Sequence, residues 1–427
     1  MILAALLFVL LALCALPSLA LQPIKTFAAA ARGYNPDARE ARANVTQQDA
    51  QADVALGRVL PGLSARGTYT RTQYPSVLTL FEFPQPITII PINQWTGSGT
   101  LTVTLVDLAN FRRVGAAKAS AASSAQTLNA TGLSVESQVV QDYFQLVANI
   151  ALVAASNTAL NVSRQGLLIA EAQFKAGTAA ILDVDRARAD VEQQAQQVAA
   201  AELQVALAAR ALRSASGVAP DLSGTVELAD DLHPEPELSV FERSVGGLPS
   251  VAAAALNTRA AEEQSQAARF ALLPSVTGTF TEFGSNTPSF VGHDWYYQAA
   301  INLSWTLDLT NLGNIRGQDG VLDAARAREL RARLNAADAI HRQWNTVVSD
   351  IARSRSARVG RAAAVHASVL ARERYQVGTI TQLELLQAQR DAFTSEVNRI
   401  QADADLMNAR VQLRLSTGQS LVEGAER

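Results

Sequence analysis

The sequence predicts a mainly helical fold with a small β part, made by using one unit twice: a helix, two strands, a long helix and a further helix. Three observations lead there. The stretch Phe174-Lys-Ala-Gly177-Thr178, followed by Asp183, recurs as Tyr375-Gln-Val-Gly378-Thr379, followed by Glu384, at an offset of 378 − 177 = 201 residues. Each copy stands between two long proline-free, Ala-rich runs, the composition of a helical hairpin. Each unit also carries two segments that alternate apolar and polar side chains with a period of two, which is the strand signature.

Residues 1–20 are apolar from Ile2 to Leu16 and end in Ser18-Leu19-Ala20, a small-x-small cleavage pattern read as a signal peptide. No Lys or Arg precedes the apolar run, so an uncleaved membrane anchor stays open. Lipidation at Cys14 is a second open question, because Leu13 stands where processing needs a small residue. Cys14 is the only cysteine, so cleavage after Ala20 leaves a mature chain without disulfides or thiolate metal sites, compatible with an oxidising compartment.

A helix is expected from about Asn35 to Val59, with Pro36 at its start and Leu60-Pro61-Gly62 as its stop. A strand follows over 63–70. Residues 74–91, with Pro75, Pro84, Pro86 and Pro91, read as a loop, and Trp95–Leu105 alternates as a second strand. Gly115–Gly177 reads as a helix of roughly 60 residues, about 90 Å long at the usual rise. The helix after Thr178 ends near Ser216 and is shorter, so two short helices are expected end to end beside each long one. Gly closes a helix in the left-handed conformation and Thr caps the next, which makes Gly177-Thr178 and Gly378-Thr379 hairpin tips.

Residues 218–247, with Pro220, Pro234, Pro236 and Gly246-Gly247, read as a linker that crosses back. Then the unit repeats. Leu273-Pro274 answers Leu60-Pro61, and strands are expected over Val276–Thr281 and Trp295–Leu307. The offset of 201 recurs at Asp107 and Asp308, Tyr143 and Trp344, and Gly217 and Gly418; between the strands it is 274 − 61 = 213, so the first loop is 213 − 201 = 12 residues longer. The chain thus divides into a signal peptide (1–20), a first repeat (21–217), the linker (218–247), a second repeat (248–418) and a tail (419–427).

Composition excludes several functions. The net charge of −3 gives no case for nucleic acid, and the arginines of 326–361 are interleaved with Asp323, Glu329, Asp338 and Asp350, as on a solvated or inter-helix face. His233, His293, His341 and His366 show no metal-ligand spacing. No phosphate loop or nucleophile elbow appears, so neither an enzyme nor a cofactor is implied.

Four strands of about ten residues with aromatics near their ends match transmembrane β-strands in length and period. Four cannot close a barrel, and lipid tolerates no open edge, so three copies are expected to form one barrel of about twelve strands. Trp95, Trp295, Tyr297 and Trp305 are candidate membrane-interface aromatics, although singly each could be a packing residue. The competing architecture is a small soluble sheet on a helical bundle, as in a periplasmic coiled-coil scaffold or adaptor.

The ordered set of Asn35-Pro36, Leu-Pro before each first strand, strand pairs ending near Asp107 and Asp308, paired Phe/Tyr-x-x-Gly-Thr tips and helix ends at Gly217 and Gly418 resembles the TolC-type outer-membrane efflux proteins over essentially the whole mature chain. The resemblance implies a homotrimer, with a shared outer-membrane β-barrel continued by a hollow periplasmic α-helical barrel. It implies a passive exit duct for a tripartite efflux or type I secretion system, set in outer-membrane lipid and joined through its tips to a periplasmic adaptor and an inner-membrane transporter.

Gly177, Thr178, Gly378 and Thr379 would then be the adaptor contact. Asp183 and Glu384 match positions lining the closed periplasmic aperture, and Tyr375 matches the tyrosine that the first acid bonds. Ile380 stands where that pattern has an arginine, and Gln387 where it has a second ring carboxylate. Closure is therefore expected from packing plus an Asp183–Tyr375 hydrogen bond, with Glu384 lining the pore. For both acids a first-turn helix position, favoured by the dipole, is the other reading.

Overall fold

The computed structural model describes residues 21–78, 87–222, 228–287 and 292–422. The signal-peptide and Cys14 readings lie outside them. In chain order the elements are α1 (Ile24–Tyr34), α2 (Pro36–Gly57), β1 (Gly62–Arg71), β2 (Ser76–Leu78), β3 (Ile87–Ile90), β4 (Asn93–Val106), α3 (Leu108–Lys175) and α4 (Ile181–Ser216). The second half holds α5 (Leu238–Glu242), a 3₁₀ turn at Val245–Gly247, α6 (Pro249–Phe270), β5 (Ser275–Ser285), β6 (Trp295–Ser304), α7 (Leu309–Gln376) and α8 (Gln382–Ser416).

Four expectations need correction. A helix, α1, precedes the one expected at Asn35; the two are separate because a residue before proline is driven out of the helical region, and Asn35 sits at φ −58°, ψ 132°. The long helices start at Leu108 and Leu309 rather than near Gly115, because Asp107 and Asp308 cap them: each Oδ1 accepts from the backbone N–H three residues on, at Asn110 and Asn311, at 2.8 Å. The proline-rich loop of 74–91 contains a short antiparallel hairpin, β2 with β3. Trp305–Leu307 also lie beyond the end of β6.

The chain divides into two compact units. One comprises the chain up to Ala41, Leu128–Val251 and Arg333 onward; the other comprises Arg42–Thr127 and Ala252–Ala332.

The first unit is helical. Its core gathers Phe27 and Ala31 from α1, Val139, Leu146 and Val147 from α3, Leu212 from α4 and Ile400 and Ala404 from α8. Residues so far apart in sequence meet only if short helices lie along long ones. The joints are visible. Gly217 closes α4 at φ +77°, its N–H donating to the Arg213 carbonyl at 2.8 Å, and a Cβ there would lie 2.6 Å from the Tyr34 ring. Asn35 donates through Nδ2 to the Ala215 carbonyl, so α4 ends where α2 begins. Gly418 closes α8 at φ +84°, and a Cβ on it would lie 3.3 Å from Leu248, the residue before Pro249 and α6.

Two buried charge sites tie loose segments down. Glu136 of α3 is fully buried; its Oε1 lies 2.6 Å from Arg32 Nε, it accepts from the Ser420 hydroxyl, and its Oε2 accepts from the Leu421 N–H. A carboxylate without water is tolerated only when so fully partnered. The linker is likewise strapped to α7 and α8. Arg410 lies against Asp230 at 2.9 Å, pairs with Glu235 and donates to the His233 carbonyl, Arg358 donates to the Asp230 carbonyl, and the Trp344 indole donates to Pro236.

The second unit carries a four-stranded antiparallel sheet in the order β1-β4-β5-β6. Directly opposed residues share a face. Leu63 pairs with Leu101, which pairs with Phe280; Tyr69 pairs with Trp95; Tyr297 pairs with Glu282 and Trp295 with Gly284, all on one face. The other face is a hydroxyl ladder in which Ser64, Thr100, Thr281 and Gln298 lie in register, with Thr100 and Thr281 hydroxyls 3.1 Å apart. The apolar face is uncovered among the described residues: Leu63 is 82% and Ile301 77% exposed. No strand of this chain pairs with the outer edge of β1 or of β6 among the described residues.

Candidate functional site

At each hairpin tip the first helix ends in the same way. Gly177 takes φ +77°, its N–H donating to the Phe174 carbonyl, while the Thr178 N–H and hydroxyl both donate to the Gln173 carbonyl at 3.0 and 3.1 Å. Gly378 takes φ +76°, with its N–H on Tyr375 and the Thr379 N–H and hydroxyl on the Arg374 carbonyl at 2.9 and 3.0 Å. These are paired Schellman closures, which need a residue free to adopt the left-handed conformation. The threonines were expected to cap the following helices; instead they close the preceding ones, because each hydroxyl lies over the last unpaired carbonyls.

The helix beginnings differ. Ahead of α4 stands Ala180, with no side-chain cap. Ahead of α8 stands Thr381, whose hydroxyl accepts from the Glu384 N–H while Glu384 Oε2 accepts from the Thr381 N–H at 2.7 Å, a capping box. Those bonds hold the exposed Glu384 carboxyl below its ordinary value. The first-turn reading of Glu384 is thus realised in the geometry.

The expected Asp183–Tyr375 hydrogen bond is not formed. Tyr375 is 5% exposed and its hydroxyl has no hydrogen-bond partner, whereas half-buried Asp183 turns to Arg186 at 3.7 Å, one turn along its own helix. Burial, and secondarily the charge of Asp183, push the Tyr375 phenol up. The tips are joined instead by Gln173, whose Nε2 donates to the Tyr375 carbonyl at 3.3 Å. Ile380 is half-buried and Gln387 exposed.

A second link between the hairpins was missed from sequence. Arg390 of α8 donates to Gln193 Oε1 at 3.3 Å and lies 3.7 Å from the carboxylate of Asp190, both on α4. Asp190 is buried, which raises its carboxyl above the ordinary range, with Arg390 and Gln194 pulling the other way. The available signal was spacing: Asp190 falls on the buried stripe of α4 that carries Val184, Ala187 and Gln194. Elsewhere Asp230, Asp231 and His233 come close enough to hold a cation, but Asp230 and His233 are already turned to Arg410.

Of the four predicted interface aromatics, Trp95, Trp295 and Tyr297 stand on the apolar face of the sheet. Trp305, past β6, donates its indole N–H to the Leu272 carbonyl; all four are well exposed.

The profile of the outer membrane efflux protein family matches residues 28–218 and 244–419, both halves of this architecture. The chain belongs to that family. Among relatives of this outer membrane efflux protein, a fusaric acid resistance protein, FusA, of Burkholderia cepacia is 26% identical over 326 residues, covering 70% of this chain and 58% of its own length. A probable efflux pump outer membrane protein, TtgC, of Pseudomonas putida is 25% identical over 386 residues, covering 85% of this chain and 76% of its own. The fold is similar to CusC, with a TM-score of 0.82 at 18% identity over 93% of this chain and 92% of that one. It is also similar to VceC of Vibrio cholerae, with a TM-score of 0.79 at 17% identity over 92% and 96%. Family membership makes this outer-membrane efflux protein a channel rather than an enzyme.

Proposed function

We propose that this efflux protein is the passive exit duct of a tripartite pump, working as a homotrimer. The supporting observation is the four-stranded sheet whose apolar face is uncovered and whose two outer edges are unpaired. In lipid such edges must be satisfied, and three copies joined β6 to β1 give one closed barrel of about twelve strands. The recurring cap, joint and tip of each half support a duplicated unit, so each trimer offers two kinds of tip. Trp95, Trp295, Tyr297 and Trp305 then face the lipid boundary.

The tips Gly177-Thr178 and Gly378-Thr379 meet a periplasmic adaptor, which couples the duct to an inner-membrane transporter. Asp183, Tyr375, Ile380, Glu384 and Gln387 line or brace the closed aperture. The relatives' names, an efflux pump protein and a fusaric acid resistance protein, favour small-molecule efflux over protein secretion. Sizing detergent extracts of envelopes tests the assembly: the duct reading expects a detergent-dependent trimer that conducts in planar bilayers. A chain recovered in the aqueous fraction would favour a scaffold or adaptor and sink the proposal.

A further inference from the structure

The second unit holds a cavity of about 840 Å³ to which four helices contribute one stripe each. On α3 the lining positions run 113, 116, 117 and 120, and on α2 they run 51, 54, 55 and 58, the one-face spacing of a helix. Small residues such as Ala116 and Ala260 form the floor. Three arginines line it, Arg58, Arg113 and Arg328, together with Gln51, Asn257 and Gln264, and no acidic residue is among the lining residues.

None of the three arginines makes an ion pair among the described residues; Arg113 donates to the neutral Asn110 side chain at 2.7 Å. Four acids of the unit are already taken: Glu263 by Arg112, Asp319 by Arg269, and Glu262 and Asp323 by Arg326. Three of the four helices lie in the order of the strands they continue, since Ser123 of α3 donates to Ala253 of α6, and Thr258 of α6 to Ala325 of α7.

We propose that this groove binds small organic anions with an apolar body, the aromatic carboxylates being the fitting class. The guanidiniums supply paired donors for a carboxylate and the alanine floor takes the ring. The inference rests on the duct reading for its consequence: in a ring of three copies with this groove turned to the lumen, it favours anionic cargo on its way out.

The test is calorimetric titration of the full-length protein in lipid nanodiscs with naphthoate and with neutral naphthamide, empty nanodiscs serving as the blank. Naphthoate is expected to bind the wild type more tightly than the amide. In the Arg58→Gln/Arg113→Gln/Arg328→Gln variant its affinity should drop by about tenfold or more, as charged hydrogen bonds are lost. Replacing the same three by lysine should retain the preference for the acid; should the triple glutamine variant not assemble, the lysine variant and single Arg→Gln changes carry the test. Equal binding of acid and amide, an unchanged glutamine variant, or no binding by the wild type overturns the inference. The same preparation is recorded in planar bilayers: a protein that conducts without binding naphthoate removes this site and leaves the duct, and one that binds without conducting keeps the site and removes the duct.

Discussion

The two hairpin tips end their first helices alike and begin their second helices differently. Position 174 is a phenylalanine that is 43% exposed, while its counterpart 375 is a tyrosine that is 5% exposed and whose hydroxyl lacks a partner. Ala180 leaves the first amides of α4 without a side-chain cap, whereas Thr381 and Glu384 close those of α8. A left-handed glycine fixes where a helix stops, but only the residues after it decide how firmly the next one starts. The second tip is the better anchored, and its acid serves as a cap before it can serve as a pore charge.

The largest effect should come from breaking what the tips share. Gly177→Val and Gly378→Val each force a branched side chain to φ near +77°, a cost of about 1–2 kcal/mol, although nothing lies within 4 Å of the added Cβ. Trimers should therefore persist on detergent sizing while drug export is lost. Wild-type drug tolerance in both variants would remove the tips from the adaptor contact.

Exchanging the caps comes next. Thr381→Ala should cost about 1 kcal/mol and Ala180→Thr should gain a similar amount. Hydrogen exchange at the first amides of α8 and α4 reads the change, and equal protection of the two helices in the wild type would contradict the asymmetry. Tyr375→Phe makes the second tip resemble the first; removing a buried unbonded hydroxyl should leave the melting temperature unchanged or raise stability by up to about 1 kcal/mol. A clear loss would mean that the hydroxyl is bonded to Asp183 after all.

Glu384 gives the smallest signals. Its folded value lies below the ordinary glutamate value of 4.5, so its contribution is full above that value and disappears as pH falls through the depressed one. Amides at the start of α8 should lose protection in that acid window, and those of α4 should not lose it through this residue. Glu384→Ala should also reduce cation preference, read as the reversal potential under a salt gradient in planar bilayers; no shift would leave Glu384 as a cap alone.

Much of this was legible in the sequence. Glycine at a left-handed helix end, proline at a helix start and strict alternation in a strand each encode one local geometry, so both tips, both joints and the four strands of the main sheet could be placed. The paired aspartates at 107 and 308 were visible as landmarks, but their capping role was not, because an acid before a helical run also reads as a loop residue. Partner choice was the harder part. Asp183 has Arg186 one turn away on its own helix, and this local partner prevails over the more distant Tyr375. The Arg390 link to Asp190 and Gln193 joins helices whose registers depend on the whole bundle, and no pattern within either helix fixes that.

The carboxylate of Glu136 has a consequence for the order of events in folding. Its partners Arg32 and Ser420 are 388 residues apart, and the unit around it is drawn from three separate stretches of chain. Closing loops of that length makes assembly slow relative to the formation of its helices. Helix α1 is made long before Ser420, yet one of the hydrogen bonds that hold it waits for that residue, so a polypeptide cut short before Ser420 leaves a buried charge without two of its partners.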